Sequence, residues 1–165
     1  MKKIFTIIII SCLFVSVCKS QDEKFKALYL YNITKFIEWP TQAGPFIIKV
    51  LGESPVSTIY KAEFGQRTVN AQSVEIISSG SVAELNNAQI IYIPASHSAS
   101  IPAVIAKVAG RPVLVITDLP GSTSKGASIS FVSNGKLNIQ ISRRNIESHG
   151  LKVNTQLIEL GIDVD

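Results

Sequence analysis

Hydrophobic and polar positions fall into three regimes along the chain. The first is an apolar run, Ile4 to Val17, broken only by small hydroxyl or thiol side chains and preceded by Lys2 and Lys3. A spanning helix needs about twenty apolar residues, so this run of about fourteen fits the core of an export signal. Cleavage after Ser20 puts Cys18 and Ser20 at the small-residue positions before the cut. The expected division is a signal peptide over 1–20 and a single domain over 21–165.

The second regime alternates helical and strand periods. Phe25, Leu28, Tyr29, Ile33, Phe36 and Ile37 form one apolar stripe, predicting a helix over 23–39 with Asp22 as cap and Pro40 as stop. Strands are predicted over 46–51, 74–78, 89–93 and 112–117. Helices are predicted between them over 55–64, 81–87 and 98–109, the first with Ser54 as cap and Pro55 in its first turn. This alternation argues for a largely parallel sheet covered on both faces.

In the third regime, 127–132 and 136–142 both alternate apolar with polar residues around a Ser-Asn-Gly turn. A three-residue loop that sets Phe131 opposite Leu137 and Ile129 opposite Ile139 keeps one face apolar, with Gly135 in the left-handed region. Short helices over 143–149 and 155–160 follow, the latter capped by Asn154. The fold class is therefore α/β: a single-domain, mixed, largely parallel sheet flanked by helices on both faces, with a C-terminal antiparallel hairpin.

Composition sharpens this picture once the leader is set aside. The chain has 165 residues, 16 basic and 12 acidic side chains and a net charge of +4. The first twenty residues hold three of the lysines, no acid and both cysteines, which leaves 145 residues of net charge +1 without a cysteine. A nearly neutral domain gives little basis for nucleic-acid binding. With cleavage after Ser20 a structural disulfide is excluded from the mature domain, and a cysteine-ligated metal loses most of its support. Acylation at Cys18 is the alternative fate of the leader, but Val17 directly before the cysteine suits a lipoprotein signal poorly.

Candidate chemistry is sparse. His97 has no carboxylate beside it in sequence. His149 ends a polar helix, where a cation suits the helix dipole. Ser122 and Lys125 satisfy S-x-x-K without its companion motifs. Gly121 and Gly126 have phosphate-loop spacing, but Ala127 stands where the lysine belongs. Asp118 ends a strand at the sheet edge where open α/β sheets bind ligands. No metal, cofactor or catalytic residue is expected. The sole tryptophan, Trp39, sits at a helix end beside a proline, a position that suits either a core anchor or a partner contact.

Several segments in order resemble the YfiR family of bacterial periplasmic proteins. Lys26, Ala27, Tyr31, Asn32, Lys35, Phe36, Glu38, Trp39 and Pro40 resemble its opening motif. Gly52 with Pro55 is similar to the turn after its first strand. Gly110 to Leu114 with Thr117 and Asp118 resembles its G-R-P-V-L strand. Gly126, Ala127, Ile129 and Phe131, then Gly135 to Leu137, resemble its hairpin. Gly150 to Val153, Gln156, Leu157 and Leu160 resemble its C-terminal segment.

The resemblance implies a periplasmic regulator rather than an enzyme. Such a regulator binds and inhibits the periplasmic sensor region of a membrane diguanylate cyclase, restraining cyclic di-GMP and biofilm formation. A histidine kinase is another possible partner, and homodimers occur in the family. The protein would reach the membrane only through its partner. Redox control through disulfides, found in some relatives, does not carry over to a cysteine-free domain.

Partner contacts are expected around Lys35, Glu38 and Trp39, and on the loop carrying Asp118, Ser122 and Lys125. Two other readings make different predictions. A periplasmic small-ligand sensor requires a pocket near Asp118. A hydrolase requires Ser122 and Lys125 to act together.

Overall fold

Four of the predicted strands form the middle of an eight-stranded sheet. The structure, a computed structural model, describes residues 21–165; the expected export signal lies outside them. The chain begins with helix α1 (residues 21–33) and a short strand β1 (Ile37–Glu38). β2 (Phe46–Leu51), helix α2 (Pro55–Phe64), β3 (Thr68–Val69) and β4 (Gln72–Ser79) follow. Next come β5 (Ile90–Ile93), α3 (Ile101–Val108), β6 (Leu114–Thr117), β7 (Ile129–Ser133) and β8 (Leu137–Ile141). The chain closes with α4 (Arg143–Ser148), β9 (Lys152–Val153), α5 (Thr155–Glu159) and β10 (Ile162–Asp163).

The strand order is β10-β8-β7-β6-β5-β2-β4-β3. The five strands β4, β2, β5, β6 and β7 run parallel. Numbered in chain order they read 2-1-3-4-5, a doubly wound sheet whose winding reverses between β2 and β5. β7 and β8 form the expected antiparallel hairpin, and β10 extends it in parallel beside β8.

Alternate side chains of the buried strands feed two cores. Ile48, Tyr92, Ile116 and Phe131 pack with α1, α2 and α5 on one face. Ile91, Ile93 and Val115 pack with Ile101, Val104 and Val108 of α3 on the other. Each fully buried leucine or isoleucine there contributes roughly 1.5–3 kcal/mol. Ser54 caps α2 as predicted, accepting from the Val56 N–H at 3.2 Å, and Asn154 caps α5, accepting from the Gln156 N–H at 2.9 Å.

The hairpin register is displaced from the prediction by two residues. Phe131 faces Ile139, Ile129 faces Ile141, and Ser133 faces Leu137 across a three-residue loop. A shift of two preserves which side chains share a face, so the apolar pattern permits both registers. Gly135 takes φ +77°, as the turn requires. Ser128 and Ser130 are also buried, because α3 and the 119–126 loop cover the second face of β7; their hydroxyls bond to Val115 N and Leu119 O.

The first helix departs most from expectation. It ends at residue 33 rather than 39, passing through a 3-10 turn, Thr34–Phe36, into β1. Tertiary bonds draw this backbone out of the helix. Ile37 and Glu38 pair with Val153 and Lys152, and the Asn154 N–H donates to Phe36 O at 2.8 Å. The buried stripe is also rotated. Ala27, Leu30, Ile33 and Ile37 enter the core, whereas Phe25 and Leu28 face solvent at 44% and 38% exposure.

Candidate functional site

α1 lies across one face of the sheet. Its beginning meets the carboxyl ends of the parallel strands, and the segment after it meets their start. At the first end, Lys26 Nζ lies 3.1 Å from Asp118 Oδ2 and 2.9 Å from Glu23 Oε1. Asp118 directly follows β6, so the end of the strand fixes one partner and the first turns of α1 fix the other. The Tyr92 hydroxyl, at the end of β5, donates to the same Asp118 oxygen at 2.5 Å.

Burial by itself lowers the pKa of Lys26, but the charges of Asp118 and Glu23 outweigh it and hold the ammonium above its ordinary value. Tyr92 is raised far above an ordinary tyrosine, first by burial and then by the Asp118 charge, so its hydroxyl remains a proton donor. A lysine on an amphipathic helix is ordinarily solvated; here the structure places Lys26 in this network. Asp118 Oδ1 is buried and has no hydrogen-bond partner. The carboxylate proposed as a ligand anchor is thus engaged by the protein's own lysine and tyrosine.

At the other end, Trp39 is half-buried. Its Nε1 donates to Thr34 O at 2.9 Å, and its ring meets Phe46, the first residue of β2, edge-on at 5.0 Å. Glu38 is exposed and pairs with exposed Lys152 at 3.3 Å. Lys35 is exposed, lies over the Tyr31 ring at 4.4 Å and donates to Asn32 Oδ1 at 3.0 Å.

The two predicted contact groups are therefore not one surface. Trp39 touches the start of β2, while Asp118 follows the end of the co-directional β6.

Within the loop after β6 the fates differ again. Lys125 is exposed. Ser122 is fully buried, its Oγ bonded to Thr117 Oγ1, so it does not present the surface contact expected of it. Nor does it meet Lys125 as a serine–lysine pair would. His149, expected as a helix-end cation, is buried instead; desolvation lowers its pKa against the opposing pull of the Val108 and Arg111 carbonyls.

The surface that sequence reasoning missed is the outer face of α1. Phe25, Leu28, Tyr29, Asn32 and Phe36 recur at helical spacing along it, beside Lys35. Leu160, 61% exposed, stands across a cavity of about 220 Å³ from Tyr29 and Phe36. Apolar residues occupy more than one face of α1, and that was the available signal: one sheet can bury only one face of a helix.

Among the described residues, no group of three or more His, Cys, Asp or Glu converges as metal ligands do, and no helix is long and apolar enough to cross a membrane. The fold and surface define a doubly wound α/β domain in which Asp118, at the end of β6, is engaged by the protein's own Lys26 and Tyr92, and whose exposed large apolar side chains lie on α1 and on the C-terminal segment 160–164. The chain belongs to the YfiR/HmsC-like family (DUF4154), whose model matches residues 23–162. That family is regulatory rather than catalytic in character and is consistent with a periplasmic setting. No curated protein matches the sequence significantly.

Proposed function

We propose that this protein is an exported periplasmic regulator that binds the periplasmic sensor region of a membrane signalling protein of the diguanylate cyclase type and inhibits it. Membership of the YfiR/HmsC-like family supports the regulatory class. The exposed apolar face of α1 carries the binding part of the reading. Phe25 and Leu28 lie in the open on α1, as Leu160, Ile162 and Val164 do in the C-terminal segment, and such residues anchor partner surfaces. Lys35 borders this face and is retained as a contact, with Glu38 and Trp39 at its far end; Asp118 and Lys125 lie at the opposite end of the sheet. By binding one state of the sensor better than the other, the domain shifts the sensor's equilibrium.

The test is site-specific photo-crosslinking from Leu28 and Lys35 in the native host, with cyclic di-GMP measured in a deletion strain. The expected adduct is a membrane protein with a periplasmic domain and a cytoplasmic cyclase domain, and deletion raises cyclic di-GMP. Unchanged cyclic di-GMP on deletion refutes the inhibitory role. Leu28→Asp, which leaves the core untouched, abolishes the adduct; if it does not, α1 is not the contact face.

A further inference from the structure

A cavity of about 410 Å³ opens at the amino ends of β2, β5 and β6, away from the strand end that carries Asp118. Ile47 of β2, Gln89 just before β5 and Arg111 just before β6 line it, and the loop between β1 and β2 contributes Gln42. Among the described residues no aspartate, glutamate or aromatic side chain lines it.

The fold orients its polar groups. Gln89 is buried, and its Oε1 accepts from the Ile47 N–H at 2.7 Å. That bond makes Nε2 the donating end, and Nε2 donates to Gln42 Oε1 at 2.5 Å. Gln42 therefore has its oxygen engaged and, among the described residues, both Nε2 hydrogens unpartnered. Asn87, also in the lining, is held at φ +55°, and its carboxamide makes no hydrogen bond among the described residues. The backbone of Arg111 is fixed: its N–H donates to Val108 O at 3.0 Å, and its carbonyl accepts from the Val113 N–H at 2.7 Å. Arg111 is half-buried, yet among the described residues its guanidinium enters no salt bridge.

The cavity thus combines one unpaired guanidinium with three carboxamides and no opposing charge. A cation partly withdrawn from water favours a bound anion. The planar guanidinium fork matches a carboxylate. A phosphate dianion is better balanced by more than one cation, and Arg111 is the single cation in the lining among the described residues. Carboxamides both donate and accept, as hydroxyl groups do. The volume lies in the range of small-molecule sites, roughly 300–1,000 Å³.

We infer that this cavity binds a small hydroxycarboxylate of the size of a uronic acid. Arg111 holds the carboxylate, and Gln42, Asn87 and Gln89 read the hydroxyls. The site is separate from the outer face of α1, so crosslinking from Leu28 and binding here succeed or fail independently.

The probe is D-glucuronate, titrated against the isotope-labelled mature protein by NMR and followed in parallel by the fluorescence of Trp39, close in sequence to Gln42. Saturable shifts of the side-chain amide resonances of Gln42, Asn87 and Gln89 are expected, with a Kd on the order of 1 mM or tighter. D-glucose, which lacks the carboxylate, and inorganic phosphate, which lacks the hydroxylated ring, each bind about tenfold more weakly. Arg111→Gln weakens glucuronate binding by about tenfold or more, and Arg111→Lys, which keeps the charge without the fork, by less. Asn87→Asp, a residue that also tolerates the left-handed region, places a carboxylate in the cavity and weakens binding as far as Arg111→Gln does.

Absence of amide shifts at about 10 mM glucuronate overturns the site. Equal binding of glucose overturns the role of Arg111, and equal binding of phosphate overturns the hydroxycarboxylate class. Undiminished binding by Arg111→Gln and Asn87→Asp, with both variants unfolding at the wild-type urea concentration, overturns the location.

Discussion

Replacing Lys26 by methionine probes whether the latch between α1 and the strand ends is energetically significant. The Lys26 and Asp118 side chains are 14% and 11% exposed, with the charged atoms 3.1 Å apart. At an effective dielectric near 20, their attraction is about 5 kcal/mol. Desolvation of both groups offsets roughly half of it. The methionine variant also leaves the Asp118 carboxylate covered, with Oδ1 already unpartnered. The expected loss is about 2–3 kcal/mol, or about 6–9 °C in Tm for a domain of this size. Urea unfolding followed by the fluorescence of Trp39, the sole tryptophan, reads the change.

Lys24→Met is the matched control. Lys24 is 61% exposed and 3.8 Å from Glu63, so its loss should cost less than about 0.5 kcal/mol. Adding Asp118→Asn to Lys26→Met should recover part of the loss, because the amide keeps an acceptor for Tyr92 without a bare charge. The pH dependence has a definite sign. The Lys26 pKa is raised on folding, so its contribution is complete below the ordinary 10.5 and is lost as pH rises through the folded value. If Lys26→Met and Lys24→Met unfold at the same urea concentration, the latch contributes nothing and the electrostatic reasoning is wrong.

Two further outcomes follow from buried polar atoms. The Tyr60 hydroxyl is buried without a partner, so Tyr60→Phe removes a desolvated group; stability in urea should hold or rise by up to about 1 kcal/mol, and a loss above that would reveal an unseen hydrogen bond. His149 has a lowered pKa on folding, so the unfolded chain takes up its proton first: stability is complete above about 6.5 and falls as pH drops below it. His149→Gln should flatten that part of the pH profile, measured by thermal melts between pH 7.5 and 5.

Local rules made much of this protein legible. Ser54 with Pro55, and Asn154, announced two helix starts through side-chain bonds that span only two residues. The apolar run within 112–117 became β6, with all four of its residues buried, because a strand covered on both faces needs side chains that can be buried on both. The order and spacing of the family motifs pointed to the family that the chain proved to join. The hairpin face was readable, since alternation has period two, but its register was not, since a shift of two leaves that alternation intact.

Tertiary structure decided what local rules leave degenerate. α1 has apolar residues on more than one face, and its sequence does not say which one the sheet will cover. The small Ala27 and the reach of Lys26 to Asp118, distant in sequence, set that rotation, turning Phe25 and Leu28 outward. Pairing of Ile37 and Glu38 with residues more than a hundred positions later cut the helix short. Ser122 and Asp118 looked like surface groups by composition, yet each found a partner inside. Sequence determined the elements and the class; the competition among distant partners determined which faces remained exposed, and a binding surface consists of those faces.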